Sequence, residues 1–243
     1  MGRQHRVTGV ADIAAEFERA GAAFVVPPGE LAYKLMQVRA FVFDWDGVFN
    51  RGEKSATAAS GFTEADSMGI NMLRFGYWTR SGQIPIAAIV TGEVNPSAEQ
   101  FAARERFHWF FQGVRDKRQA IAAICERDGI SADEVACVFD DINDLSMAGS
   151  CGVRFLVRRP ASVLLAGHAI ASRVCDYVTA NGSGDYAIRE TAELILGLLG
   201  VFEPVVESRV ANDARYRAYF SQRQAVALQK ATICDGVAVD EAR

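Results

Sequence analysis

Asp44 and Asp46 flank a single tryptophan at the end of an apolar run, Ala40-Phe41-Val42-Phe43, and Gly47 follows them. In an extended segment, residues two apart point to the same face, so both carboxylates can address one bound group. Carboxylates that close repel each other, and a divalent cation is the simplest compensation. One of the pair could attack as a nucleophile while the other handles protons. A second acidic cluster, Asp140-Asp141-Ile142-Asn143-Asp144, follows another apolar run, Val135-Ala136-Cys137-Val138-Phe139. Two strand ends carrying carboxylates suggest a magnesium site, and with it phosphate chemistry.

Two further segments suit an anion. Thr91-Gly92 closes the run Ile84 to Val90 and offers a hydroxyl and a glycine amide just before a helix. Lys117 follows Asp116 at a helix start, where the macrodipole mildly disfavours a cation unless an anionic partner such as a phosphate or Asp44 is present. Each segment alone has an ordinary explanation: an acidic turn, a strand-to-helix turn, a solvated lysine, an acidic helix start. Together and in this order they describe one site.

Such a site needs strand ends gathered at one sheet edge. Strands are expected at 40–43, 84–90, 109–111, 135–139 and 153–157, with a last short one at Tyr177-Val178-Thr179. Helical patterns separate them, the signature of a mostly parallel sheet with helices on both faces. Asn95-Pro96 reads as a helix start, Ser131 to Glu134 as a capping box, and Asp116 to Gln119 resembles one. A short amphipathic helix is expected over 9–20, another over 30–38, and one long helix over 209–231.

The bulk numbers exclude other classes. A composition 50% hydrophobic and 23% charged fits an ordinary globular chain of 243 residues. A net charge of −4 gives no general attraction to nucleic acid or to an anionic membrane. The short basic groups, Arg158-Arg159 among them, read mostly as solvated faces. Five widely spaced cysteines without a Cys-x-x-Cys argue against a disulfide framework or a zinc site. With no apolar signal segment at 1–10 and no run long enough for a membrane span, a cytoplasmic protein is expected.

As a set, Asp44-x-Asp46, Thr91, Lys117 and the acidic pair Asp140-Asp141 resemble the four motifs of the haloacid dehalogenase superfamily of aspartyl-phosphate phosphotransferases. Within it, the closer likeness is to the family of 3-deoxy-manno-octulosonate 8-phosphate phosphatases and its sugar-acid phosphatase relatives. That likeness rests on Phe43 to Val48, Asp66 with Gly69-Ile70, Thr91-Gly92, Gln112 to Lys117 and Asp140 to Leu145. It continues through Asp176 to Thr179 and Ala187 to Glu190, and covers roughly 28–200.

The resemblance implies an α/β fold of the Rossmann-like, three-layer kind without a large cap domain. It divides the chain into an N-terminal helical extension (1–38), a phosphatase core (39–200) with a hairpin flap at 51–63, and a C-terminal helical extension (201–243). It makes Asp44 the nucleophile and Asp46 the general acid and base, with Thr91 and Lys117 completing the catalytic set. Thr91, Gly92 and Lys117 would hold phosphate, and Asp44, Asp140 and the Asp46 carbonyl would hold Mg2+. Asp141 and Asp144 would orient metal-bound waters and Lys117. The implied partner is a small phosphorylated metabolite, with no nucleic acid and no membrane. Relatives without a cap are tetramers, so a homo-oligomer, a tetramer by preference, is expected to help close the site.

Two positions and one glycine-rich stretch, Gly182-Ser183-Gly184-Asp185-Tyr186, depart from the family pattern. Glu93 stands where the family has arginine after Thr-Gly, and a later helical arginine aligns with Phe101. Arginine suits a sugar-acid carboxylate, and Glu93 would repel one. The alternatives are a related enzyme for another phosphorylated metabolite, such as a nonulosonate 9-phosphate or a hexose phosphate, or a non-catalytic interaction protein on the same fold.

Overall fold

In the computed structural model, residues 9–53 and 61–241 are described. The chain opens with α1 (Val10–Arg19), a two-residue strand β1 (Ala23–Phe24) and α2 (Pro28–Gln37). Six strands then alternate with helices: β2 (Ala40–Phe43), α3 (Glu64–Ser81), β3 (Ile86–Val90), α4 (Pro96–Arg104), β4 (Trp109–Phe111) and α5 (Lys117–Asp128). β5 (Val135–Phe139), α6 (Leu145–Ala148), β6 (Val153–Arg158), α7 (Val163–Ala171), β7 (Tyr177–Gly182) and α8 (Ala187–Leu198) complete that series. The chain ends with α9 (Phe202–Ala211), α10 (Ala214–Gln224), β8 (Gln229–Cys234) and β9 (Val237–Asp240).

All nine strands form one sheet in the order β1-β7-β6-β5-β2-β3-β4-β8-β9. Only the outermost pairs, β1–β7 and β8–β9, are antiparallel. From β2 the chain winds outward through β3 and β4, and from β5 it winds the other way through β6 and β7. The crevice beside the carboxyl ends of β2 and β5 is therefore the switch point where open α/β sheets bind ligands.

Alternation along β2 divides its side chains between the two faces of the sheet. Phe41 and Phe43 join the core beneath α3 and α8, while Ala40 and Val42 join the core beneath α5. Strands buried on both faces read as continuous apolar runs, as β2 and β5 do. An α/β, three-layer architecture follows. No helix among the described residues is long and apolar enough to cross a membrane, and all five cysteines are free thiols.

The termini differ from the expected helical extensions. The N-terminal segment adds a strand as well as two helices, with Ala23 and Phe24 paired to Val178 and Tyr177. The single helix expected over 209–231 is two helices and the first strand of a hairpin. Asn212 adopts a left-handed conformation (φ 45°) that ends α9, and Asp213 caps α10 by accepting from the Tyr216 amide at 2.9 Å. β8 then pairs parallel to β4. The Phe75 ring meets Tyr219 and Tyr216 at 5.0 and 5.2 Å, which seats α10 on α3. Of the expected flap, 54–60 lie outside the described residues, and the flanking 51–53 and 61–63 form no helix or strand.

Candidate active site

Asp44 leaves the end of β2 with its amide bonded to the Val138 carbonyl of β5 at 3.0 Å. The Asp44 side chain is buried beside that of Lys117, whose Nζ lies 2.5 Å from Asp44 Oδ1 and also bonds Asp144 Oδ1. Lys117 is the first residue of α5, set there by Asp116, whose carboxylate accepts from the Arg118 amide at 3.2 Å. The Asp116 side chain thus caps through Arg118, while the Gln119 amide donates to the Asp116 carbonyl at 3.1 Å. A buried ammonium at the positive end of a helix needs anions, and it has two.

Asp144 closes a 3₁₀ turn, Ile142–Asp144, just beyond β5. Asp44, Asp140 and Asp144 are all buried, and each offers an oxygen within 4.8 Å of the others. Asp144 thus joins Asp44 and Asp140 in one cluster of carboxylates while also bonding Lys117. The Oδ1 atom of Asp140 is buried without a hydrogen-bond partner among the described residues, whereas its Oδ2 is bonded by Arg159. An orphaned carboxylate oxygen among hard oxygen donors is what a small divalent cation would satisfy. The residues present thus fit magnesium.

The electrostatics agree with a site built for a cation. Burial, then the negative charge of Asp144, pushes the Asp44 carboxyl up to about 7, although Lys117 partly offsets both. Burial, then Asp44, pushes Asp140 up to about 8 against the opposing effect of Arg159. Burial alone would lower the Lys117 pKa, but Asp44 and Asp144 outweigh it and hold the amine above its ordinary value.

A cleft of about 500 Å³ opens over these groups, lined by Asp44, Asp46, Thr91, Gly92, Lys117, Asp141 and Asp144. Thr91 is held in place at the end of β3 by its amide, bonded to the Phe111 carbonyl at 2.9 Å, and its own carbonyl accepts from the Val114 amide at 3.1 Å. Asp140 borders a smaller cavity of about 270 Å³, and Arg159 lines both that cavity and the main cleft.

Glu93 and Arg115 also line the main cleft. Phe101 does not: it is fully buried, with ring centroids 4.8 Å from Phe49 and Phe62 and 5.6 Å from Trp45. That position faces the core, so its departure from arginine says nothing about the ligand.

Arg159 is the residue that reading the sequence as a solvated face misplaces. It follows β6, lines the cleft, bonds Asp140 and lies 3.6 Å from Asp141 Oδ2. Its position directly after a predicted parallel strand was the available signal. Gly47 makes room for it: φ is +90°, and a Cβ there would overlap both the Asp140 carboxylate and the Arg159 guanidinium. Ser183 Oγ donates to the Gly47 carbonyl at 2.6 Å and fixes this turn from the loop after β7.

No protein-family profile matches the chain. The chain is 26% identical over 171 residues to 3-deoxy-D-manno-octulosonate 8-phosphate phosphatase of Haemophilus influenzae, covering 69% of this chain and 87% of that protein. A crystal structure of the Moraxella catarrhalis phosphatase of the same name, with magnesium, phosphate and KDO bound, superposes with a TM-score of 0.63. It is 25% identical and covers 74% of this chain and 98% of its own. The cobalt-bound H. influenzae structure gives a TM-score of 0.58 at 26% identity, covering 76% and 98%. The chain resembles these phosphatases in sequence and fold. With the aspartate cluster, the likeness supports a metal-dependent phosphatase, a hydrolase.

Proposed function

We propose that the protein is a magnesium-dependent phosphatase that hydrolyses a phosphate monoester of a small metabolite, a sugar acid or sugar phosphate of the 3-deoxy-octulosonate 8-phosphate type. The observation that carries this reading is the meeting of Lys117 with Asp44 and Asp144, beside the orphaned Asp140 oxygen, at one sheet edge. Nothing in packing requires three buried carboxylates there.

In this reading a carboxylate oxygen of Asp44 forms the bond to phosphorus as the ester oxygen leaves. Asp46 gives that oxygen a proton, then takes one from the water that hydrolyses the aspartyl phosphate and releases inorganic phosphate. Asp46 lines the cleft beside Asp44, within reach of a group bound there. The Thr91 hydroxyl and the Gly92 amide hold phosphate oxygens. Lys117 neutralises charge between nucleophile and phosphate, which is most of what a protein contributes to phosphoryl transfer. Asp44, Asp140 and the Asp46 carbonyl would hold magnesium, which when bound supplies charge neutralisation at the phosphoryl oxygens. Asp141 and Asp144 orient the waters of the cation, and Asp144 also orients Lys117.

The catalytic unit in this reading is 39–200, and the protein works as a cytoplasmic homo-oligomer, a tetramer by preference, whose neighbours cover the open cleft. Glu93 on the cleft wall favours a second reading, a different phosphorylated metabolite without a carboxylate, such as a hexose phosphate. A phosphate-release screen over a metabolite library, with and without magnesium, tests both. Magnesium-dependent release that Asp44→Asn abolishes is the expected result. Equal turnover by the wild type and Asp44→Asn on every ester would end the proposal.

A further inference from the structure

Arg159 stands apart from its neighbour. The Arg158 guanidinium is tied to the fold, with Nε on the Thr179 carbonyl at 2.9 Å and Nη2 on the Gly21 carbonyl at 2.8 Å. Arg159 turns instead into the cleft and takes Oδ2 of Asp140, leaving Oδ1 buried and without a partner among the described residues. The space it occupies exists because residue 47 lacks a side chain. One oxygen of Asp140 is therefore capped and the other is offered.

We propose that Arg159 is a positioning residue that holds Asp140 to one ligating oxygen and so makes the site select magnesium over calcium. The inference rests on reading the cleft as a divalent-cation phosphatase site. Magnesium demands near-ideal six-coordinate geometry with few, single-oxygen carboxylates. Calcium takes six to eight oxygens and accepts a carboxylate through both. A guanidinium on Oδ2 blocks the second mode and leaves the first intact. Its positive charge also repels any dication, so affinity alone does not report the role. The ratio of the two affinities does.

Calorimetric titration of the full-length, metal-free protein with magnesium and with calcium, in the absence of substrate, measures that ratio. Arg159→Ala is expected to tighten calcium binding about tenfold more than magnesium binding, a change in the range seen when residues supporting metal ligands are removed. Arg159→Lys keeps a cationic donor and is expected to restore most of the wild-type preference. Circular dichroism of both variants establishes that they fold. An equal change for both ions would reduce Arg159 to a bystander charge and overturn the proposal. So would an unchanged ratio, or a wild type that binds neither ion. Because no ester is present, failure of the phosphatase reading is seen separately, as absence of phosphate release from a protein that still discriminates between the ions.

Discussion

Lys117 Nζ lies 2.5 Å from Asp44 Oδ1, joining the first residue of α5 to the residue that ends β2 across the switch point of the sheet. Both side chains are buried, so neither charge is balanced by water. The same ammonium bonds Asp144, which makes one cation the counter-charge of two carboxylates. A divalent ion beside them would complete the balance, and a phosphoryl group would then find positive charge on two sides.

Removing the amine tests this arrangement. Lys117→Met keeps the length of the side chain and deletes its charge, leaving Asp44 and Asp144 to repel each other. Turnover of the best ester from the phosphate-release screen is expected to fall about 10²–10³-fold, the usual cost of losing one preorganised charge-stabilising donor. Retention of more than a tenth of wild-type kcat at saturating magnesium would remove Lys117 from the chemistry.

The raised carboxylates predict a pH dependence whose sign is fixed. Asp44 and Asp140 sit at about 7 and about 8 in the fold, against an ordinary value of 3.8. The metal-free fold thus favours their protonated forms. The stability they contribute is full below the ordinary value and is lost as pH rises through 7 and 8. The melting temperature in EDTA is expected to fall between pH 5 and pH 8.5. Magnesium should raise it most at the alkaline end, with proton release on binding between pH 6 and 8. A magnesium shift of equal size at pH 5 and pH 8.5 would contradict the coupling.

The parts of the site that announce themselves in sequence are those that end apolar strands. Asp44 and Asp140 follow runs that only a doubly buried strand explains, and the acid after each run marks the sheet edge. Arg159 follows β6 in the same way, but a charged pair after a strand is as often a solvated end. Only the packing of β6 against β5 brings it to Asp140. The C-terminal hairpin carried a local signal, the Asp235-Gly236 turn between β8 and β9. The helical spacing of Tyr216, Tyr219 and Phe220, followed by the further apolar residues Val226 and Leu228, competes with that signal, and the pairing of β8 with distant β4 leaves no local trace. The helix break at Asn212-Asp213 was equally present as a left-handed stop followed by a cap.

Gly47 predicts a second mutational outcome. Its φ of +90° strains any side chain, and a Cβ would collide with the Asp140 and Arg159 pair. Gly47→Ala is expected to cost about 1–3 kcal/mol of stability through backbone strain and displacement of that pair. Magnesium affinity should weaken along with stability, because Asp140 must move. Wild-type magnesium affinity in a folded Gly47→Ala protein would show that Asp140 does not need its observed place.

A last prediction concerns what joins the C-terminal segment to the body. Glu105, buried after α4, accepts from Ser67 Oγ at 2.7 Å and from Arg223 Nη2 of α10. Its carbonyl accepts from Arg74 Nη1 at 2.7 Å and from Arg223 Nε at 3.3 Å. Two buried guanidinium groups thus share the Glu105 carbonyl, with Arg223 the one of the two that also bonds its carboxylate, and Nε and Nη2 of Arg74 have no hydrogen-bond partner among the described residues. The Arg74 pKa is brought down to about 10, chiefly by burial and in part by Arg223, against the opposing effects of Tyr219 and Glu105. Deleting the Glu105 charge leaves Arg223 and Arg74 as poorly compensated buried cations, which typically costs about 3–5 kcal/mol. Glu105→Gln is therefore expected to lower the urea midpoint sharply while leaving kcat unchanged at temperatures where the variant stays folded. The Arg223→Met variant leaves the Glu105 carboxylate with Ser67 and with Arg104, whose Nε lies 3.4 Å from Oε1, so it should cost less than Glu105→Gln. Negligible losses in both variants would mean that the segment is held by the apolar contact of α10 with α3 alone.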